Sequence, residues 1–107
     1  MQIMKSYFVN NEAIETGGAI LIKNVRSLVV DSEFTHNQAQ QGGAIFSEQV
    51  NEQSTVVDKC LFTNNLAKNE GAVFFWSQSP MSLLINEFED NICKGVVSTS
   101  TYEPDGL

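Results

Sequence analysis

The chain has 107 residues, of which 13 are acidic and 6 are basic, and its formal net charge is −7. This length corresponds to one domain, and the acidic balance, without any cluster of Lys and Arg, argues against nucleic acid and anionic membranes as partners. No apolar stretch approaches the roughly 18 residues of a membrane-spanning helix, so we expect no transmembrane segment.

A short motif, Phe-x-x-Asn, occurs four times and predicts a repeat protein. Successive phenylalanines are separated by 26, 28 and 26 residues. The copies are Phe8 with Asn11, Phe34 with Asn37, Phe62 with Asn65, and Phe88 with Asn91. A unit this short cannot bury its own apolar face, so neighbouring copies must stack.

The residues around the motif keep their chemical type from copy to copy. An aliphatic residue lies five positions before each phenylalanine: Ile3, Val29, Val57 and Leu83. A small residue lies five positions after it: Ala13, Ala39, Ala67 and Cys93. A Gly-Gly-Ala-Ile step follows and weakens in later copies, and we align its second position as Gly18, Gly43, Gly71 and Gly95. The repeats then occupy about 1–25, 26–53, 54–80 and 81–97, with 98–107 as a tail or partial cap.

The apolar runs predict short strands. They lie at 19–22, 28–30, 56–57 and 73–76, and they are rich in β-branched and aromatic side chains between polar or glycine clusters. No copy is long enough between breakers for a helix. Two or three short strands per unit, repeated in register, predict an all-β fold, a parallel β-solenoid of about four coils.

Each column then has an expected structural role. The phenylalanines should stack on one another inside the solenoid. The asparagines should lie where the chain turns out of the Phe strand, where Asn tolerates the left-handed region and can form coil-to-coil ladders. The glycines should adopt positive φ or allow close backbone approach. We expect Cys60 and Cys93 to be buried thiols that are not bonded to each other.

Phe-x-x-Asn followed by Gly-Gly-Ala-[ILV] resembles the repeat of the chlamydial-type polymorphic outer membrane proteins, over about residues 1–97. The resemblance implies a right-handed parallel β-helix of the pectin-lyase-like type. It also implies a cell-surface or extracellular scaffold or adhesin-type passenger, whose partner would be an unidentified protein or glycan. Because residues 1–5 enter the first repeat without a secretion signal, we expect a segment of a longer protein. Open solenoid ends predict end-to-end self-association.

Pectin-lyase-like helices include carbohydrate-active enzymes, so the acidic residues are candidates for catalysis. Asp31 and Asp58 differ by one position in the alignment, and Leu61 lies between Glu33 and Glu87 in their column. This arrangement lacks the paired carboxylates of glycoside hydrolysis. The sequence therefore predicts a non-enzymatic segment without catalytic residues, cofactor or metal. The alternative is a segment of an enzyme whose catalytic coils lie outside this chain.

A contact surface is predicted from the loops and the aromatic run. Residues 49–54 form an insertion between the Gly-Ala-[IV] strand and the aliphatic column, and such insertions often collect on a binding face. The predicted contact residues are Gln49, Asn51, Glu52 and Trp76. His36 shares a column with turn residues and is expected to lie at an exposed corner.

Overall fold

The computed structural model is a β-solenoid without helices in the residues that it describes, which are 1–48, 54–77 and 81–94. For residues 75–77 only the backbone is described. Within these ranges no helix is long and apolar enough to cross a membrane. The all-β fold class predicted from the sequence is confirmed.

The strands are short and fall into successive coils. The first coil contains β1 (Gln2–Met4), β2 (Tyr7–Val9) and β3 (Ile20–Lys23). The second contains β4 (Ser27–Val30), β5 (Glu33–Thr35), β6 (Gln38–Gln41) and β7 (Ile45–Glu48). The third contains β8 (Thr55–Asp58), β9 (Leu61–Thr63), β10 (Leu66–Glu70) and β11 (Phe74–Ser77). The last described strands are β12 (Met81–Leu83), β13 (Glu87–Glu89) and β14 (Ile92–Cys93).

Equivalent strands of successive coils pair in parallel and build four sheets. Sheet A has the order β1-β4-β8-β12, and sheet B has the order β2-β5-β9-β13. Sheet C consists of β6, β10 and β14, and sheet D consists of β3, β7 and β11. In the first coil, Glu12 and Thr16 form only isolated bridges to sheet C. The second and third coils therefore each contribute one strand to each of the four sheets.

The solenoid makes about three turns, fewer than the four coils expected from counting motifs. The count was too high because coil one has no regular strand in sheet C and the described chain of coil four ends after β14. A complete coil also has four strands rather than two or three, because single-residue corners divide it further. The right-handed sense of the coil and the division of the chain into repeats stay predictions.

Two of the corners are single residues in the left-handed region. Between sheets B and C this residue is Asn10, His36, Asn64 or Asp90, with φ between 55° and 58°. Between sheets A and B it is Lys5, Asp31 or Lys59, with φ of 48°, 51° and 55°. The short polar side chains of Asn and Asp suit this conformation because they bond locally to the backbone. The residue in the left-handed region is thus the one before each motif asparagine. The sequence had suggested the motif asparagine itself.

The core is filled by inward-facing side chains from every sheet, and the longer strands contribute more than one, as β3 does with Ile20 and Ile22. Phe34, Phe62 and Phe74 are fully buried, together with the aliphatic residues Val29 and Val57. Their neighbours along each strand point outward, which is why β4, β5, β8 and β9 alternate between buried and half-buried positions. The aliphatic column keeps its predicted register, with Ile3, Val29, Val57 and Leu83 paired in sheet A.

The glycine alignment was wrong in the third copy. Gly71 has φ +65°, like Gly17 and Gly42, and it therefore occupies the column of the first glycine. The backbone bonds agree, since Gly18 N–H donates to Gly42 O and Gly43 N–H donates to Gly71 O. The third copy has lost the second glycine, whose place is taken by Ala72. The offset arises in sheet C, where β10 pairs with β6 through a one-residue bulge between Ala67 and Glu70.

The second glycine column has a packing role. A Cβ built on Gly18 would overlap the carbonyl oxygen of Gly43, and one built on Gly43 would overlap that of Ala72. The first glycine column instead meets the backbone requirement for positive φ. Gly95, the fourth predicted member, lies outside the described residues.

Candidate functional site

Four motif phenylalanines form one continuous stack through the solenoid. Neighbouring members pair in register across sheet B. The ring centroids are 4.7 Å apart for Phe8 and Phe34, 4.8 Å for Phe34 and Phe62, and 5.3 Å for Phe62 and Phe88. The planes are within 12° of parallel. Phe74 from sheet D closes the far side of the stack, edge-on to Phe62 at 4.8 Å. Phe34, Phe62 and Phe74 are fully buried and are not available to a ligand.

The motif asparagines form a second continuous column beside the rings. The backbone N–H and side-chain Nδ2 of Asn11 both donate to Oδ1 of Asn37, at 3.0 and 2.9 Å. The same pair of bonds joins Asn37 to Asn65 and Asn65 to Asn91. Each Nδ2 beyond the first also donates to the carbonyl of a phenylalanine one coil earlier. Every interior Asn side chain is therefore satisfied, although Asn37 and Asn65 are buried.

A mixed ladder runs along the column two residues before each phenylalanine. Ser6 N–H donates to Oγ of Ser32 at 3.2 Å, and Cys60 N–H donates to Oδ1 of Asn86 at 2.9 Å. Ser32 N–H completes the series with a hydrogen bond to the Cys60 thiol. Serine, cysteine and asparagine thus accept the same bond from the preceding coil, which explains why this column tolerates three residue types.

The two cysteines are in different environments. Both are free, with Cys60 buried and Cys93 exposed, so the expectation of two buried thiols was wrong for Cys93. Burial raises the pKa of the Cys60 thiol, and the charges of Asp31 and Asp58 act in the same direction. The backbone hydrogen bonds from Ser32 and Asp58 oppose this shift. Cys60 is therefore a protonated core residue rather than a nucleophile.

The outer surface has a groove along the corner between sheets B and C, of about 390 Å³. Its walls carry amide, imidazole and carboxylate groups from successive coils. The lining residues are Asn10, Asn11, Glu12, His36, Asn37, Gln38, Asn64 and Leu66. His36 is exposed here, at the corner predicted from its column. The groove thus offers several neutral hydrogen-bonding groups in a row.

A second groove follows the opposite edge of sheet B, where sheet A turns into sheet B, and has a volume of about 340 Å³. It contains three carboxylates and one ammonium group. The lining residues are Asp31, Ser32, Glu33, Lys59, Cys60, Leu61, Ile85 and Glu87. The two grooves flank the outer face of sheet B, whose exposed residues include Tyr7, with 72% of its surface accessible. We call this region, the outer face of sheet B with both grooves, the sheet B surface.

The acidic candidates lie where the alignment had indicated. Val30, not Asp31, pairs with Asp58, so these two carboxylates are out of register. Glu33 and Glu87 share a column, with Leu61 paired between them. Two strand spacings, about 9.6 Å, separate their backbones. Among the residues that the structure describes, no group of three or more His, Cys, Asp or Glu side chains could hold a metal ion.

The predicted contact residues are only partly within the described chain. Gln49, Asn51 and Glu52 lie outside it, and of Trp76 only the backbone is described, paired with Ser47 in sheet D. The sheet B surface, in contrast, was not singled out from the sequence. Its grooves form from residues that are 26 or 28 positions apart, and they follow corners whose left-handed residues are recognised only from the backbone angles.

A comparison with protein-family models gives one match, on the segment that runs from the corner before sheet B to the end of β7. Residues 31–48 match the Chlamydia polymorphic membrane protein repeat. This match confirms the resemblance inferred from Phe-x-x-Asn and Gly-Gly-Ala-Ile, because the matched polymorphic membrane protein repeat contains Phe34, Asn37 and 42–45. No curated protein matches the chain, and no solved structure does.

Proposed function

We propose that this chain is a non-enzymatic β-solenoid segment of a cell-surface or extracellular protein, and that it acts as a scaffold that binds a protein or glycan through its outer faces. The match of residues 31–48 to the polymorphic membrane protein repeat carries this proposal. Such a role requires export and display, and the similarity to a repeat of membrane proteins supports this.

The distribution of side chains supports a scaffold. The motif phenylalanines and asparagines bond or stack with their counterparts in the next coil, so the most regular residues of the chain maintain its shape. Variation is concentrated on the outside, where sheet B presents Tyr7, Glu33, Leu61 and Glu87 in one column. A rigid frame with a variable exterior is the general arrangement of repeat proteins that bind extended partners.

The sheet B surface is our candidate for the contact. An exposed tyrosine can stack on a sugar ring or fill a protein pocket. The neighbouring amides, hydroxyls and carboxylates can hydrogen-bond to sugar hydroxyls or to a peptide backbone. The surface lacks a concentrated positive charge, which disfavours polyanionic partners such as nucleic acid.

The proposal is tested by measuring how the purified chain binds to cultured animal cells and to a glycan array. We expect Tyr7→Ala and Glu33→Ala to weaken binding at least several-fold. Lys68→Ala is the matched control, because Lys68 is exposed on sheet C, away from both grooves. Equal binding by all three variants would exclude the sheet B surface, and absence of any binding to cells or glycans would contradict the adhesive role.

A second candidate function rests on the groove between sheets A and B. Asp31, Glu33 and Glu87 line it together, but Leu61 lies between Glu33 and Glu87 in their column, so the catalytic coils of such an enzyme would lie outside this chain. Under this alternative the chain belongs to a carbohydrate-active solenoid. Incubation of the protein with polyuronides and galactans distinguishes the two: new reducing ends or unsaturated products would establish the enzyme, and their lasting absence would remove it.

A further inference from the structure

The groove between sheets B and C is lined by two parallel rows of side chains. One row consists of the left-handed corner residues, and the other consists of the residue at which each coil enters sheet C. The corner row is Asn10, His36 and Asn64, and the sheet C row is Glu12, Gln38 and Leu66. Each row takes one residue from each of three successive coils, so the groove runs parallel to the solenoid axis.

The polar groups of the two rows are available to a ligand, whereas the floor between them is saturated. The floor includes Asn37, whose amide is used within the asparagine ladder. His36 and Asn64 are exposed and Gln38 is half-buried. Their side chains form no hydrogen bond to another residue in the described ranges. Amide and neutral imidazole groups both donate and accept hydrogen bonds, so the rows can pair with either kind of partner group.

The charge of the groove indicates an uncharged ligand. Glu12 is the only acidic residue among the described residues that line the groove, and neither Lys nor Arg is among them. An acidic polysaccharide or a nucleic acid would therefore meet no compensating positive charge. A basic peptide would find a single carboxylate, at one end of the groove.

The strands beside the groove do not suit a peptide. β5 and β9 pair with each other and with β2 and β13, and β6 pairs with β10 and is bridged to the first coil. These strands therefore offer no free edge, which a peptide needs in order to add a strand. A peptide extended along the groove would advance by about 3.3 Å per residue, out of step with rows whose members are about 4.8 Å apart.

A linear chain of sugar rings matches both the spacing and the chemistry. A six-membered sugar ring is similar in length to one strand spacing of about 4.8 Å, so successive rings can meet equivalent positions of successive coils. The hydroxyl groups on the two edges of a ring can bond to the two rows, for example to Asn64 on one side and Gln38 on the other. Leu66, which is half-buried, can pack against the C–H groups of a ring.

We propose that the groove between sheets B and C binds an uncharged linear polysaccharide, which lies parallel to the solenoid axis with about one sugar ring per coil. His36, Gln38 and Asn64 hydrogen-bond to its hydroxyl groups. This inference rests on the proposed function, because it names the ligand class for one part of the sheet B surface.

The test is a titration of the full chain with neutral oligosaccharides, followed by nuclear magnetic resonance. The probes are linear oligomers of glucose, N-acetylglucosamine, mannose and galactose, each from the monomer to the hexamer. For the series that binds, affinity should rise with each added ring up to the trimer, because three coils line the groove. Equal affinity for monomer and trimer would overturn the axial placement, and failure of all four series to bind would overturn the proposal.

Two variants of β6 locate the site. Gln38→Leu should weaken binding of the trimer about fivefold, because it removes the hydrogen bonds of one amide. Leucine is compatible with the fold at this position, since Leu66 is its partner in the same column. Gln40→Leu is the matched control, because it makes the same chemical change on the same strand but outside the groove. Unchanged binding by Gln38→Leu, or equal losses in both variants, would contradict the assignment.

The spectra give a second measurement that needs no variant. The trimer should shift the backbone amide signals of His36, Gln38 and Asn64 and leave that of Leu21, on sheet D, in place. Shifts confined to sheet D would overturn the assignment to this groove. If the chain binds animal cells or a peptide array but no neutral oligosaccharide, the polysaccharide proposal fails and the scaffold role stands. If it binds neither cells nor any glycan, both fail.

Discussion

The backbone N–H and the side-chain amide of Asn37 both donate to a single oxygen, Oδ1 of Asn65, at 3.0 Å each. Both residues are buried. The remaining amide proton of Asn37 is used by the Phe8 carbonyl at 2.9 Å. This geometry needs one donor group and one acceptor group on the same short side chain, so asparagine is required for its chemistry rather than for turn propensity.

Asn37→Asp should therefore destabilise the chain strongly at neutral pH, by about 3 kcal/mol. A carboxylate cannot donate, so it would leave the Phe8 carbonyl unpaired and would face the oxygen of Asn65. Burial and this contact would raise the carboxyl pKa in the folded state. The penalty should then grow as pH rises through the unfolded value of about 3.9 and should fade below it. Urea unfolding at several pH values measures this.

Asn64→Asp is the control for this substitution. Asn64 is exposed and has φ 55°, and the fourth copy already has Asp90 in the same column with φ 56°. We expect a change within about 0.5 kcal/mol. If both substitutions cost the same, the ladder would have no special contribution to stability.

Phe34→Ala should lower the free energy of unfolding by about 3–5 kcal/mol, because it removes a fully buried ring from the middle of the stack and leaves a cavity. Phe8→Ala should cost less, since Phe8 contacts one stacked neighbour instead of two. Chemical denaturation followed by circular dichroism gives both values. Tyr7 is in the same strand as Phe8 but faces outward, so Tyr7→Ala should change the free energy of unfolding little. A loss equal to that of Phe34→Ala would show that the phenylalanine stack is not the source of this stability.

Gly43→Ala tests the corrected glycine alignment. The added Cβ would overlap the Ala72 carbonyl oxygen and would lie 2.7 Å from that of Leu66, and both are backbone atoms that cannot move independently. We expect a loss of about 3 kcal/mol or more in unfolding free energy. The reverse change one coil later, Ala72→Gly, should cost only about 1 kcal/mol. Similar losses for Gly43→Ala and Ala72→Gly would argue against a close approach of Gly43 to the backbone of the next coil.

The two thiols should differ in reactivity. Because burial raises the pKa of Cys60 above its ordinary value of 9.0, its thiolate is scarce at pH 8. Ellman's reagent should react quickly with exposed Cys93 and with Cys60 only after unfolding. The raised pKa also means that stability is fully present below pH 9 and declines as pH rises through the folded value. Cys60→Ser should remove this loss of stability at alkaline pH. If the loss persists in the variant, a titrating group other than Cys60 causes it.

The sequence was sufficient for the columns of sheets A and B. The six residues from Val29 to Phe34, like the six from Val57 to Phe62, cross one corner without insertion, so an ungapped alignment predicts their pairing. The same approach failed for Gly71. β10 contains one extra residue between Ala67 and Glu70, which shifts the following residues by one position relative to β6. From the sequence alone, this shift cannot be distinguished from the loss of the first glycine of the pair.

The candidate contact face was less accessible to sequence reasoning. Tyr7 and Glu33 line one surface only because of how the sheets of neighbouring coils are placed. The corner residues determine that placement, since they set the direction in which the chain leaves each strand. A single left-handed residue such as Asp31 or His36 redirects the chain without any Gly or Pro. Polar residues at these positions look like ordinary strand or loop residues until the backbone angles are known.

The bulge in β10 shows where this molecule absorbs changes in length. The first and third coils each carry one more residue than the second along sheet C, yet the rings and amides beyond it remain aligned. A gene that gains or loses a codon in this stretch would thus produce a chain that resumes its pattern at the next corner. Short peptide tags placed there should be carried on the outside of the folded protein, which makes this side the natural place for engineered epitopes and for evolutionary drift in repeat length.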